Sequence, residues 1–339
     1  MSSINPELFR ALPKAEIHVH LEGCFNVETL VRWAGEAGVL LPRPADRLFE
    51  FQGLADFLHF LDWACGLASS PQRLTELAHD FCRRLAADGT GYADLIVNPT
   101  HWKHWRHRIP EMVAALDDGF AAAEAEGLPP VGLCISLLRT QTDKEANDLV
   151  NLLVTMGHPR VVALSIDGNE AAAGRTGERF AAAFEKAGKA GLKRTAHAGE
   201  SSGPEGVRDA ILLLGVDRID HGVRAIADDA TVELLVERRV PIGVCPTSNI
   251  NLKIFPSIAE HPIDRLVRAG VRVSINTDDP SLMGTNLPLE YARVASAFSW
   301  DESVIRDVAR TSIEASFASE SVKAGLLARL ATWQESPGP

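Results

Sequence analysis

Eight short apolar runs, with segments of helical spacing between them, constrain this chain more than any other feature of its sequence. The runs are Ala15–Leu21, Tyr92–Val97, Val131–Leu137, Val161–Ile166, Lys193–Ala196, Arg218–Ile219, Pro241–Val244 and Arg272–Ile275, most of them closed by Gly, Pro or a polar cluster. Helical periodicity fills Leu74–Ala87, Pro110–Glu126, Lys144–Met156, Gly177–Ala190, Pro204–Leu214, Ala230–Arg238 and Ile263–Ala269. Strands alternating with helices predict parallel βαβ units, and eight such units predict a closed (β/α)8 TIM barrel. A doubly wound open sheet is the other solution, but no Gly-x-Gly-x-x-Gly turn follows the first run. At 339 residues the chain is long for one domain, a length that α/β barrels often reach. One domain over residues 1–333 is expected, with a flexible Pro/Gly-rich tail over 334–339.

In such a barrel the chemistry sits at the C-terminal ends of the strands. The polar motifs of this chain fall there. His18 and His20 end the first run, Gly168-Asn169-Glu170 follows the fourth and His197-Ala198-Gly199-Glu200 closes the fifth. Asp220-His221-Gly222 closes the sixth, Cys245-Pro246-Thr247-Ser248-Asn249 the seventh and Asn276-Thr277-Asp278-Asp279-Pro280 the eighth. Between the first two strands, residues 22–91 exceed what one crossover needs. Within them Phe57, Leu58, Phe60, Leu61 and Trp63 form an apolar helix, which fits either ordinary packing or an insertion that roofs the pocket and excludes water.

His18 and His20 lie two apart on a strand, hence on one face, where two imidazoles can close on one ion. Taken alone, His-x-His also fits a half-buried strand. With His197 and Asp278 arriving at the same rim, the set becomes three neutral imidazoles and a carboxylate, which suits one Zn²⁺ per chain with a position left for water. Such an ion lowers the pKa of its water from about 16 towards about 7. Glu200 follows His197 past a glycine turn and is placed as a general acid–base group. His221 is placed to hold and polarise the attacking oxygen; its bland alternative is a structural histidine.

Composition narrows the partners. A net charge of −11 argues against a nucleic-acid partner. Five widely spaced cysteines without a Cys-x-x-Cys pair suggest neither disulfides nor a thiolate zinc site. No apolar leader or membrane-length run is present, so a cytoplasmic location away from membranes is expected. Nothing in the sequence specifies an oligomeric state.

These motifs, with Leu12-Pro13-Lys14-Ala15-Glu16-Ile17-His18-Val19-His20-Leu21-Glu22-Gly23 at the front and Thr311-Ser312-Ile313-Glu314-Ala315-Ser316-Phe317-Ala318 near the end, resemble the adenosine/adenine deaminases, a branch of the amidohydrolase-type metal barrels. The resemblance covers nearly the whole chain. It implies hydrolysis of a 6-aminopurine with release of ammonia, zinc on His18, His20, His197 and Asp278, and proton donation by Glu200 to ring N1. It further implies that His221 and Asp278 steer the hydroxide, that the Gly168 N–H meets N3 and that Asp279 meets N7. Asp220 before His221 is similar to the adenine-acting branch, whereas Asp278-Asp279-Pro280-Ser281-Leu282-Met283-Gly284-Thr285 is similar to the nucleoside-acting one. Glu22 stands where a carboxylate near the ribose 5′-hydroxyl is expected. Adenosine to inosine is the first expectation for the reaction; adenine to hypoxanthine, or a modified aminopurine nucleoside, is the alternative. A metal hydrolase of an amide or phosphoester, or an inactive binding barrel, fits the intact Glu200 and ligand set less well.

Overall fold

The computed structural model describes residues 6–52 and 54–334. Eight strands pair in sequence order: β1 (Lys14–His20), β2 (Thr90–Val97), β3 (Val131–Leu138), β4 (Val161–Asp167), β5 (Lys193–Ala198), β6 (Arg218–His221), β7 (Ile242–Val244) and β8 (Val273–Ile275). Every neighbouring pair is parallel. β3, β4, β7 and β8 read as near-continuous apolar runs because helices cover them outside and packed side chains fill them inside, whereas β1, β5 and β6 carry the polar residues of the site.

Closure falls beside the polar motifs. The His20 N–H donates to the Asp278 carbonyl at 2.8 Å and the Asp278 N–H to the His18 carbonyl at 3.2 Å. Just below, the Asn276 side-chain oxygen accepts the N–H groups of Ile17 (2.8 Å) and His18 (3.2 Å), standing in for a ladder that the short β8 cannot supply. The eight strands thus form the (β/α)8 barrel that the alternation predicts.

Helix ends follow their local chemistry. Thr142 and Glu145 form a reciprocal capping box at the start of Asp143–Met156, and Gly157, in the left-handed region at φ 56°, ends that helix. Three further helices, Leu287–Phe298, Glu302–Ala315 and Glu320–Thr332, lie beyond the segments that periodicity predicts. Ser312, on the second of them, accepts the Ala15 N–H at 3.0 Å and fastens this end of the chain to the start of β1. The expected helix Pro204–Leu214 is α-helical only to Asp209; Ala210–Leu214 forms a π turn closed by Gly215.

The long connection after β1 holds the helices Val27–Ala37, Leu54–Leu67 and Pro71–Ala87. Leu54–Leu67 packs on the turns Leu21–Gly23 and Pro99–His101, which follow β1 and β2, and so lies over the barrel mouth. Phe57, Phe60 and Leu61 are buried. Phe51 meets Phe57 and Phe60 edge-on at 5.3 Å each, and the Arg43 guanidinium covers Phe51. Expectations for the Leu58 side chain and for tail residues 335–339 fall outside the described residues. Among those described, no helix is long and apolar enough to cross a membrane.

Candidate active site

Four ligand atoms converge at the mouth of the barrel. His18 Nε2 lies 3.1 Å from His197 Nε2 and 3.2 Å from Asp278 Oδ1. His20 Nε2 lies 3.0 Å from His197 Nε2 and 3.3 Å from Asp278 Oδ1. A tetrahedral ion with bonds of about 2.0–2.1 Å has edges of about 3.3 Å, so this set fits one divalent ion. Tautomers agree with that reading. His18 Nδ1 faces the Gly243 carbonyl at 2.9 Å, and a carbonyl only accepts, so Nδ1 carries the hydrogen and Nε2 keeps its lone pair. Asp278 Oδ2 accepts the Ser248 hydroxyl at 2.7 Å, which leaves Oδ1 for the cluster.

His18, His197, His221 and Asp278 also lie within 4.8 Å of one another, so a second quartet exists. The shorter distances favour His20 over His221. His221 Nε2 is 3.9 Å from Asp278 Oδ2, the oxygen turned away from the other imidazoles, and 3.4 Å from Glu200 Oε1. Asn249 Nδ2 faces His221 Nδ1 at 3.4 Å, which makes Nδ1 the acceptor and puts the hydrogen on Nε2. Asp278 and His221 both adopt left-handed backbone, φ 66° and 69°. For non-glycine residues this costs about 1–3 kcal/mol each, a strain typical of functional sites.

Electrostatics point the same way. Burial, then His18 and His20, holds His197 well below the usual histidine range. Burial and His18 bring His221 down to about 3. Burial pulls His18 down as well, but Asp220 and Asp278 outweigh it and carry it to about 9. Asp220 and Asp278 thus favour a positive charge at the centre of the cluster, which a bound cation would supply in place of the His18 proton. Burial, then Asp278 and Glu170, raises Glu200 to about 8, and its Oε1 makes no hydrogen bond, with His221 Nε2 standing 3.4 Å away. Burial, Asp278 and Glu22 raise the Asp279 carboxyl well above the ordinary carboxylate range.

The remaining expected residues are placed less uniformly. Gly168 follows β4 at φ 98°, where a Cβ would stand 2.9 Å from Leu138 Cδ1. Asp279 packs on Gly23, at which a Cβ would meet its Cα at 2.3 Å. Asp220 does not reach the mouth as a substrate contact would. It is fully buried, accepts the Thr195 hydroxyl at 2.7 Å and stands 3.7 Å from His197 Nδ1 and 3.5 Å from Arg218 Nε, behind the cluster. Glu22 is committed to the protein. Its Oε1 accepts the Asn98 N–H at 2.8 Å and the Trp102 indole N–H at 2.6 Å, and its Oε2 is covered. No sugar hydroxyl is needed to explain it. Ser248 and Asn249 stood in a motif with no role attached; nothing in a linear sequence says which oxygen or ring nitrogen they would address.

The family model described as adenosine deaminase matches residues 13–333. Adenine deaminase of Rhodospirillum rubrum is 32% identical over 334 residues, covering 97% of this chain and 99% of its own length. Among solved structures, the adenine deaminase from Arthrobacter aurescens superposes with a TM-score of 0.88 at 28% identity, covering 95% of this chain and 99% of that one. An amidohydrolase from Burkholderia ambifaria with bound Zn gives a TM-score of 0.89 at 27% identity, over 98% of this chain and 93% of that one.

Proposed function

This chain belongs to the adenosine deaminase family and is a hydrolytic deaminase of cyclic-amidine C–N bonds, and from that premise we propose that its substrate is free adenine, converted to hypoxanthine and ammonia. The observation that carries the choice is Glu22. The carboxylate expected to receive a ribose hydroxyl has one oxygen holding two protein donors and the other covered. The relatives from Rhodospirillum rubrum and Arthrobacter aurescens are named adenine deaminases, which also favours the free base over adenosine, the first expectation from sequence.

His18, His20, His197 and Asp278 would hold one zinc ion, and that ion would supply a water made nucleophilic at neutral pH. The chain's own groups do the rest. Glu200, a neutral carboxylic acid, donates its proton to ring N1 and makes C6 electrophilic. His221, with its hydrogen on Nε2 facing Glu200 and Asp278, donates to the oxygen arriving at C6 and orients it. Asp279, its carboxyl pushed up by burial and Asp278, contacts N7, and the Gly168 N–H meets N3. The helix Leu54–Leu67 limits water at the mouth. The hydrogen on the oxygen added at C6 then passes through the Glu200 carboxylate to the amino nitrogen, the C6–N bond breaks as C6=O forms and ammonia leaves, and the proton that water gives up on activation restores Glu200.

The test is a steady-state comparison of adenine, adenosine, 2′-deoxyadenosine and N6-methyladenine. Adenine is expected to give the highest kcat/KM; adenosine turning over better than adenine would end the proposal.

A further inference from the structure

We propose that Glu170 is a positioning residue that ties the Gly168 loop to the Glu200 loop and so sets where the proton donor stands against the purine. The role assigned to Glu200 rests on the deaminase reading above; the grip itself rests on geometry alone.

Glu170 follows Gly168 by two residues, opens the short helix Glu170–Ala173 and is buried. Its Oε1 accepts the Gly199 N–H at 3.0 Å and the Ser202 hydroxyl at 2.8 Å. Its Oε2 accepts the N–H groups of Glu200 at 2.8 Å, Ser201 at 3.3 Å and Ser202 at 3.4 Å. Four consecutive backbone donors, leaving β5 in a turn that Gly199 makes at φ 65°, therefore wrap one carboxylate. Successive N–H groups in such a turn form an anion-binding concavity, and here the protein supplies the anion. Arg139, from the end of β3, stands behind it. Its Nη2 is 3.8 Å from Glu170 Oε1 and donates to the His197 carbonyl, while Nη1 donates to Thr176 Oγ1 at 2.7 Å. Space is tight: a Cβ on Gly206 would come within 2.5 Å of Ser202 Oγ and 2.9 Å of Glu170 Oε1.

A purine is rigid, so the N1 and N3 contacts are right together or not at all. One carboxylate belongs to the segment that meets N3 and grips the backbone of the residue that meets N1. Its removal would release the acid by an ångström or so, a misplacement worth about 100-fold in rate.

The test uses zinc-loaded full-length protein carrying Glu170→Gln, Glu200→Gln or both, assayed on whichever aminopurine turns over best. Failure of the adenine assignment then leaves this test intact. Glu170→Gln sets an amide NH2 against backbone donors. It is expected to lower kcat by about 100-fold with KM and metal content near those of the parent. In the Glu200→Gln background the same change is expected to alter kcat by less than about 3-fold, because residues acting as a unit are non-additive. Glu170→Asp should recover part of the rate. Amide exchange over residues 199–202 should quicken in Glu170→Gln and stay slow in Glu200→Gln, a readout independent of turnover. Equal losses in both backgrounds, loss of metal, or unchanged exchange would overturn the proposal. Should Glu170→Gln fail to fold, Ser202→Ala removes one of the five donors and must show a smaller loss with the same non-additivity.

Discussion

Replacing His261 should flatten the acid limb of the stability curve, and the size of the effect follows from its surroundings. His261 is buried just before the helix Ile263–Arg268. Its Nδ1 accepts the Ile263 N–H at 3.2 Å, so Nε2 carries the hydrogen and donates to Asn249 Oδ1 at 3.1 Å. Phe255 covers it edge-on at 4.9 Å. Burial lowers it from the ordinary 6.5 to about 3. Between those values the unfolded chain binds a proton that the folded one does not, so this contribution is intact above pH 6.5 and fades as pH falls. The slope approaches about 1.4 kcal/mol per pH unit and sums to about 3 kcal/mol by pH 4.5. His261→Gln cannot titrate. Its stability gap to the parent, read from denaturant midpoints of the zinc-loaded proteins at pH 7.5 and 4.5, should shift in the variant's favour by about that amount. Parallel curves would refute the assignment of a buried, neutral His261.

Protein prepared without added metal should carry close to one zinc per chain by elemental analysis. His20→Ala should lose the ion, and His221→Ala should keep it while losing turnover; metal loss from His221→Ala would move His221 into the ligand set. Glu22→Ala should orphan two buried donors, the Asn98 and Trp102 N–H groups, and lower stability by about 2–6 kcal/mol. The adenine-to-adenosine preference should remain, and a loss confined to adenosine would restore the sugar contact.

Much of this architecture is legible in the linear chain. Apolar runs and helical spacing place the strands because a parallel barrel strand is buried on both faces and tolerates little else. The first pair of ligands is legible too, since strand alternation puts His18 and His20 on one face whatever else the chain does. The apolar runs of β5 and β6 stop at Ala196 and Ile219, where His197 and Asp220 interrupt them: hydropathy ends where the site begins, while the strands continue to Ala198 and His221.

Sequence by itself determined the barrel, the face of His18 and His20, and the meeting of His197, Glu200, His221 and Asp278 at one rim. Only the tertiary structure decided what each neighbour in a motif does. Asp220 and His221 are adjacent, and strand alternation would send them to opposite faces. The left-handed backbone at His221 breaks that rule, so its ring joins the cluster above while Asp220 stays below, against His197 and Arg218. Glu22 and Glu170 were settled the same way, by donors from Asn98, Trp102 and the turn at 199–202. Which oxygen a carboxylate keeps free depends on groups that only the folded chain brings within hydrogen-bond distance, and spacing along the chain carries no record of them.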